Sequence, residues 1–287
     1  MKVRLFVITT SLLVSALMAL SAQGPLSPDG APYSVALEAE MGFVDVLGHT
    51  YQSGEPGTNF DYVNQGGQDI LFPALRLAAE VTLKDRHIIN FLYQPLEVNS
   101  NVSFDEAVVI DGVTFPADTP MALRYSFPFW RLTYLYDFSS RDNLELAAGG
   151  ALQLRNASVT FQSLNDLSGQ KDITVSQNLG PVPALAFRGR YIFPSGVYLG
   201  AEATGLYASS AFINGADFEF EGSILDASVQ AGVVLNGDRE MYVKLRFLGG
   251  TAVGNSEYVD RTWTEAESTY TSNKLATLFL TLGLRLR

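Results

Sequence analysis

Any chemistry in this chain has to be built from carboxylates, hydroxyls and two imidazoles. It has 30 Asp and Glu residues, two histidines (His49 and His87) and no cysteine. The missing thiols remove disulfides, thiolate metal sites and thiol catalysis. Hydrolysis needs a nucleophile or an activated water, with a general base beside it. Ser53 follows His49 by four residues and could approach it, and nearby Asp45, Glu55 and Asp61 could orient the ring. His87 falls in a short turn signal, Lys84-Asp85-Arg86-His87, at the opposite end of the expected fold. A lone loop histidine is by default incidental, so no catalytic residue and no enzyme activity are expected.

The second available chemistry is oxygen ligation. Acidic residues gather in the long segments between hydrophobic runs. The first, residues 45–68, carries Asp45, Glu55 and Asp61 with His49, Tyr51, Phe60 and Tyr62. The next holds Asp105, Glu106, Asp111 and Asp118, and within it Val108 to Phe115 reads as a hairpin around Asp111-Gly112, expected to project outward. Further along, Asp217, Glu219 and Glu221 alternate with Phe218 and Phe220, and Glu257, Asp260, Glu265 and Glu267 surround Trp263. Such ligands suit divalent cations, Ca²⁺ or Mg²⁺, which could bridge these segments to anionic lipid. None has the spaced Asp-x-Asp-x-Asp-Gly pattern of a dedicated calcium site. A hydrated, mutually repelling surface is the plainer reading, and neither a metal centre nor a cofactor is expected.

Strands must position these residues, because the hydrophobic pattern has period two. Leu71, Pro73, Leu75, Leu77, Ala79, Val81 and Leu83 share one face, opposite Ala74, Arg76, Ala78, Glu80, Thr82 and Lys84. Leu278 to Leu286 repeat the pattern against Thr277, Thr281, Gly283, Arg285 and Arg287, as do Leu225 to Leu235 against Asp226, Ser228 and Gln230. Strands are predicted near 33–47, 69–84, 87–100, 121–138, 143–164, 173–194, 197–210, 222–236, 240–253 and 270–287. Short turns at 84–87, 139–143, 194–196 and 236–239 alternate with long, polar, acidic connections. An even strand count with a short-then-long rhythm describes a closed antiparallel up-and-down transmembrane β-barrel, all-β, of about ten strands. Eight or twelve would follow if one hairpin were misassigned. A soluble sandwich or ligand-binding barrel also alternates, but here the minority face of Gly, Ala, Ser, Thr and charges is too sparse to build an oily core. The continuous leucine face would stick in water.

Residues 1–22 read as a signal peptide, with Lys2 and Arg4, the apolar run Leu5–Leu20, and small Ala19, Ser21 and Ala22. Residues 23–32 form a linker and 33–287 the barrel. On this register the inward charges are Glu38, Glu40, Glu80, Glu145, Glu202 and Asp226 against Arg76, Arg131, Arg155, Arg188, Arg190, Lys244, Arg246 and Arg285. Buried charges are costly unless paired, so a cross-barrel network filling the lumen is expected, with no wide pore. Tyr134, Tyr136, Phe138, Tyr191, Phe193 and Tyr198 are expected in one interfacial aromatic belt, and Phe72, Tyr125 and Phe127 near the opposite rim.

With this pattern the chain resembles the small single-chain outer-membrane barrels of diderm bacteria, over nearly all of its mature length. The resemblance implies an outer-membrane location, outer-membrane lipid as surroundings and the barrel-assembly machinery as a partner. Thr281, Gly283 and Leu286 fit the spacing of that group's terminal assembly signal, from which the final Arg287 departs. The ten-strand omptin proteases are similar in size, but their aspartate pair cannot be placed and no His-Asp dipeptide exists here. The net charge of −11, or −13 without Lys2 and Arg4, argues against nucleic acid. The expected role is non-enzymatic, with external loops binding a surface partner or supporting the envelope. A narrow channel for small ions or solutes and a loop-based hydrolase are the alternatives.

Overall fold

The computed structural model describes residues 26, 31–54, 56–139, 141–155, 158–164, 172–176, 180–209, 220–235, 239–259 and 266–287. The expected leader and most of the linker lie outside the described residues.

Ten antiparallel strands form a closed cylinder. In chain order they are β1 (Tyr33–Ser53), β3 (Leu71–Leu83), β4 (His87–Gln94), β9 (Phe129–Asp137), β10 (Leu144–Arg155), β13 (Gly180–Ile192), β14 (Val197–Ser209), β15 (Phe220–Leu235), β16 (Arg239–Val259) and β17 (Ala266–Leu286). Each pairs with its sequence neighbour among these ten, and β17 pairs back onto β1 from Leu37↔Leu286 to Ser53↔Thr271, with one slip between Val46 and Gly48. Closure leaves the cylinder no open edge, which is what a sheet needs where water cannot satisfy its backbone.

Most leucines of the wall face outward. Leu71 is 62% exposed and Leu282 67%, whereas Thr277 is wholly buried and Lys244 is 1% exposed. A soluble barrel would have the opposite arrangement; an outward apolar face belongs against lipid. The turns predicted at 84–87 and 194–196 are tight. Lys84 and Asp85 both adopt positive φ (49° and 56°) between β3 and β4, the primed-turn geometry that suits twisted strands.

Four of the predicted strands run past the wall element that each contains. The stretches expected at 87–100, 121–138, 143–164 and 173–194 each break in two. Beyond the breaks lie β5 (Glu97–Ser103), β8 (Pro120–Ser126), β11 (Ser158–Ser163) and β12 (Asp172–Ser176). These form a separate four-stranded sheet, ordered β12-β11-β8-β5, parallel to the wall order β13-β10-β9-β4 below it. Pro95 and Pro128 stand at two of the breaks. A proline has no N–H to give to the ladder, so pairing is interrupted there.

The remaining short strands are β2 (Phe60–Asp61), β6 (Val108–Ile110) and β7 (Val113–Phe115). Here the structure corrects two expectations. β1 continues through Ser53, so His49 stands on the wall and not on a loop. The β6–β7 hairpin, turned by Asp111 (φ 50°) and Gly112 (φ 75°), does not project. It folds down, with the Thr58 N–H donating to the Val109 carbonyl at 2.8 Å and the Asp111 N–H to the Ser53 carbonyl at 3.3 Å. Val108, Ile110 and Phe115 are buried. Burying that apolar face outweighs any advantage of standing in water.

Candidate functional site

The interior has two parts, charged in the wall and aromatic above it. Toward the end where the long loops emerge, Asp226 meets Arg131 at 2.7 Å and accepts from Arg246 at 2.5 and 2.9 Å. Gln94 and Gln153 hold the other edges of those guanidinium groups at 2.5 and 2.9 Å. At mid-height Glu40 binds Arg76 and accepts from Lys244 at 2.6 Å, from Tyr242 at 3.2 Å and from Thr281 at 3.1 Å. Glu38 accepts from Arg76 at 2.9 Å, and Glu202 lies 3.9 Å from that same arginine. Lower still, Glu80 is shared by Arg188 (2.6 Å) and Arg285, and Glu145 binds Arg188. At the turn end Glu240 pairs with Arg190 at 2.9 Å and Arg287 at 3.1 Å.

All of these carboxylates except Glu145 therefore sit between two or more cations from different parts of the chain. Removing one partner of a buried pair costs roughly 3–5 kcal/mol, because the survivor is left uncompensated. Thirteen of the fourteen charges named from the sequence stand in these groups. The fourteenth, Arg155, is in register opposite Phe129 and Gly180, and its side chain lies outside the described residues. Sequence reasoning missed Glu240 and Arg287, although Glu240 shares the parity of Lys244 and Arg246. It also missed Gln94, Gln153 and Tyr242, which complete the network without carrying charge.

Above this ladder an aromatic plug fills the mouth. Phe60 packs edge-on against Tyr62, Phe104 and Phe161, with ring centroids 5.2–5.5 Å apart. The four-stranded sheet leans across, so that Tyr125, Phe127 and Phe129 join Ile224, Leu248 and Phe279 of the far wall in one cluster. Asn273 of β17 donates to the Tyr125 hydroxyl at 3.2 Å, and only about 40 Å³ of space remains at this seam. Phe279 and Phe129 meet the charged tier directly, with the Arg246 guanidinium 5.0 and 5.9 Å from their ring centres. Three rings expected at the outer rim, Phe72, Tyr125 and Phe127, thus belong to the interior. Tyr198 does too: it is fully buried, with the Arg190 guanidinium 4.0 Å over its ring. Their parity, shared with inward charges, would have told. Tyr134, Tyr136, Phe138, Tyr191 and Phe193 do face outward near the short turns.

His49 lies in the plug, 1% exposed and stacked on Tyr62 at 4.2 Å. Its Nδ1 donates to Gln68 Oε1 at 2.6 Å, and its Nε2 has no partner. Burial pulls the imidazole down to about 4, against the smaller opposing effect of Gln68. Ser53 does not serve as its nucleophile here; that hydroxyl donates to the Asp111 carboxylate at 3.4 Å. His87 meets the Tyr134 hydroxyl at 2.9 Å at the other end. Of the acidic residues expected on loops, Asp105 is exposed and Glu106 accepts from Gln65 at 3.1 Å, whereas Glu221 is exposed on the wall, in β15 opposite Ser209 and Val253. Asp217, Glu219 and Trp263 lie outside the described residues. Among the described residues no three His, Asp or Glu side chains converge as a metal site.

Below the ladder a cavity of about 440 Å³ opens at the turn end, walled by Glu80, Glu145, Arg190 and Arg285 and rimmed by Asp85 and Arg141. It ends where the ion pairs begin.

No family model and no curated protein matches the sequence. Solved structures do match. The chain is similar to the outer membrane protease OmpT from Escherichia coli at 11% identity, with a TM-score of 0.50, over 91% of this chain and 99% of that one. It also aligns with a Pseudomonas aeruginosa FadL homologue (8% identity, TM-score 0.36, 88% and 90% covered) and with the outer membrane protein OprG of the same species (8%, 0.32, 88% and 96%). The first likeness is one of fold: a closed antiparallel barrel of the outer-membrane type.

Proposed function

We propose that this protein resides in the outer membrane of a diderm bacterium as a closed, non-enzymatic barrel, presenting its loop end to a partner outside the cell. The supporting observation is the double closure. Ion pairs span the lumen at three levels from Asp226 to Glu80, and the protein's own rings fill the mouth above them. A conduction path would have to break both. Among the described residues Asp105, Glu106, Asp111 and Asp118 are exposed on the outer side, suited to a cationic partner or to anionic lipid bridged by divalent cations.

Conductance in a planar lipid bilayer tests this reading. The purified protein should give no stable steps of porin size at neutral pH; regular ohmic channels would refute closure and favour the channel reading. Exchanging the described segment 104–119 for a short turn should then abolish retention on cells or matrix while leaving the barrel in the membrane. Retention that survives the exchange would move the partner elsewhere.

A further inference from the structure

His49 is placed where three separate parts of the chain meet. It stands on β1 above the apolar band, where the outward neighbours Thr50 and Gln52 have become polar. Tyr62 and Gln68 come from the segment after β1, and Tyr125 from β8 of the leaning sheet. Tyr62 stacks on one face of the imidazole at 4.2 Å, and Tyr125 meets it edge-on at the same distance. Gln68 takes the Nδ1 proton. The His49 Nε2, the Tyr62 hydroxyl and the Gln68 amide nitrogen are all buried and without a hydrogen-bond partner among the described residues.

That arrangement suits a neutral ring and no other. A proton on Nε2 would place a donor and a full charge in a sealed aromatic pocket with no acceptor for either. The groups facing it offer little help. Tyr51 on β1, Tyr62 and Tyr125 are phenols. Asp61 is already engaged by the Val63 and Asn64 N–H groups and the Asn64 amide, at 2.7–2.9 Å. Asp111, from the β6–β7 hairpin, is turned toward Ser53. Lys274 on β17 is exposed, on the outward face beside Thr50.

We propose that His49 is an acid-operated latch: protonation expels the ring from between Tyr62 and Tyr125 and frees the leaning sheet from the wall, unplugging the mouth. The closed state holds its imidazole neutral far below the ordinary value of 6.5. The open state, with the ring in water, takes up the proton near that ordinary value. Closure is therefore fully favoured above pH 6.5 and weakens as pH falls toward 4. Between pH 7.5 and pH 5 the open-to-closed ratio rises roughly thirtyfold on that difference, in a range where Asp61, held below the ordinary carboxylate value by the Asn64 and Val63 donors, stays ionised.

The chain has no native cysteine, so nitroxide pairs can be placed at will. Labels on Asn101→Cys of β5 and Lys274→Cys of β17, both exposed, report the gap between sheet and wall in detergent micelles. A single short distance is expected at pH 7.5, with a longer one growing in by pH 5. His49→Gln, which cannot take up the proton, should abolish that growth. Gln68→Glu, which gives the imidazolium an acceptor, should hold the short distance at pH 5. An unchanged distance in the otherwise native chain, or the same acid response in His49→Gln, overturns the latch. Should His49→Gln fail to fold, proton NMR of the two histidines in the native sequence decides: a His49 resonance titrating near 6.5 is incompatible with it.

Discussion

Glu40 shows how a single side chain can depend on an absence. On one side its neighbour in register is Arg76, directly across the β1–β3 ladder. On the other side the neighbour is Gly283, and beyond that Tyr242. With no side chain on Gly283, the Tyr242 ring lies flat across β17 and its hydroxyl reaches Glu40. A Cβ at Gly283 would fall inside that ring. Gly283→Ala should therefore push Tyr242 off Glu40 and destabilise the barrel by about 1–3 kcal/mol, read as a lower urea midpoint for the transition followed by tyrosine fluorescence. An unchanged midpoint would show that the ring packs differently. The same residues mark the limit of sequence reading at this scale. Alternation told that Glu40, Arg76 and Lys244 point inward. It could not tell that Glu40 and Lys244 meet across an intervening strand, because that contact depends on the register of β1, β16 and β17 together.

At the scale of elements, the bent sheet and the folded hairpin hold each other down. Ile110 is fully enclosed beneath the leaning strands, yet it makes no part of the membrane wall. Ile110→Ala should cost about 2–5 kcal/mol locally. Hydrogen exchange should quicken at residues 58–68 and 108–115 and stay slow in β15 to β17. Uniform loosening of all strands would instead mean that plug and cylinder are one cooperative unit. The strand pattern was legible at nearly every wall element, since each carries its own alternation and most were bounded by Gly, Asn or Asp. The bend was not read: strands were expected to run on through Pro95 and Pro128, although a proline interrupts pairing, and the direction of lean is set by Tyr125 and Phe127 finding Ile224 and Leu248, residues about a hundred positions away. The hairpin was read correctly as a hairpin and placed wrongly, because a local signal carries no information about what it will pack against.

For the whole molecule the oily exterior and paired interior make one statement about solvent. A cylinder closed by the β1–β17 seam, with 21-residue strands on both sides of it, should resist unfolding in detergent for long times. Unboiled protein is expected to run faster than boiled protein on a dodecyl sulfate gel, and to fractionate with membranes. Recovery in the soluble fraction with no heat shift would refute the orientation of the leucines. Fold class and polarity were available from the sequence because lipid-facing and lumen-facing positions alternate along β3 and along β17 from Thr277 to Leu284. The plug was not, since its rings come from many separate segments, each unremarkable alone.

The prolines at the bends have a mechanical consequence. The roof is not a lid resting on the cylinder; it is the upper length of four of the ten staves, joined to them by unbroken chain. Whatever grips the outer surface therefore pulls directly on β4, β9, β10 and β13, and its tension is carried by covalent backbone down to the short turns on the far side of the bilayer.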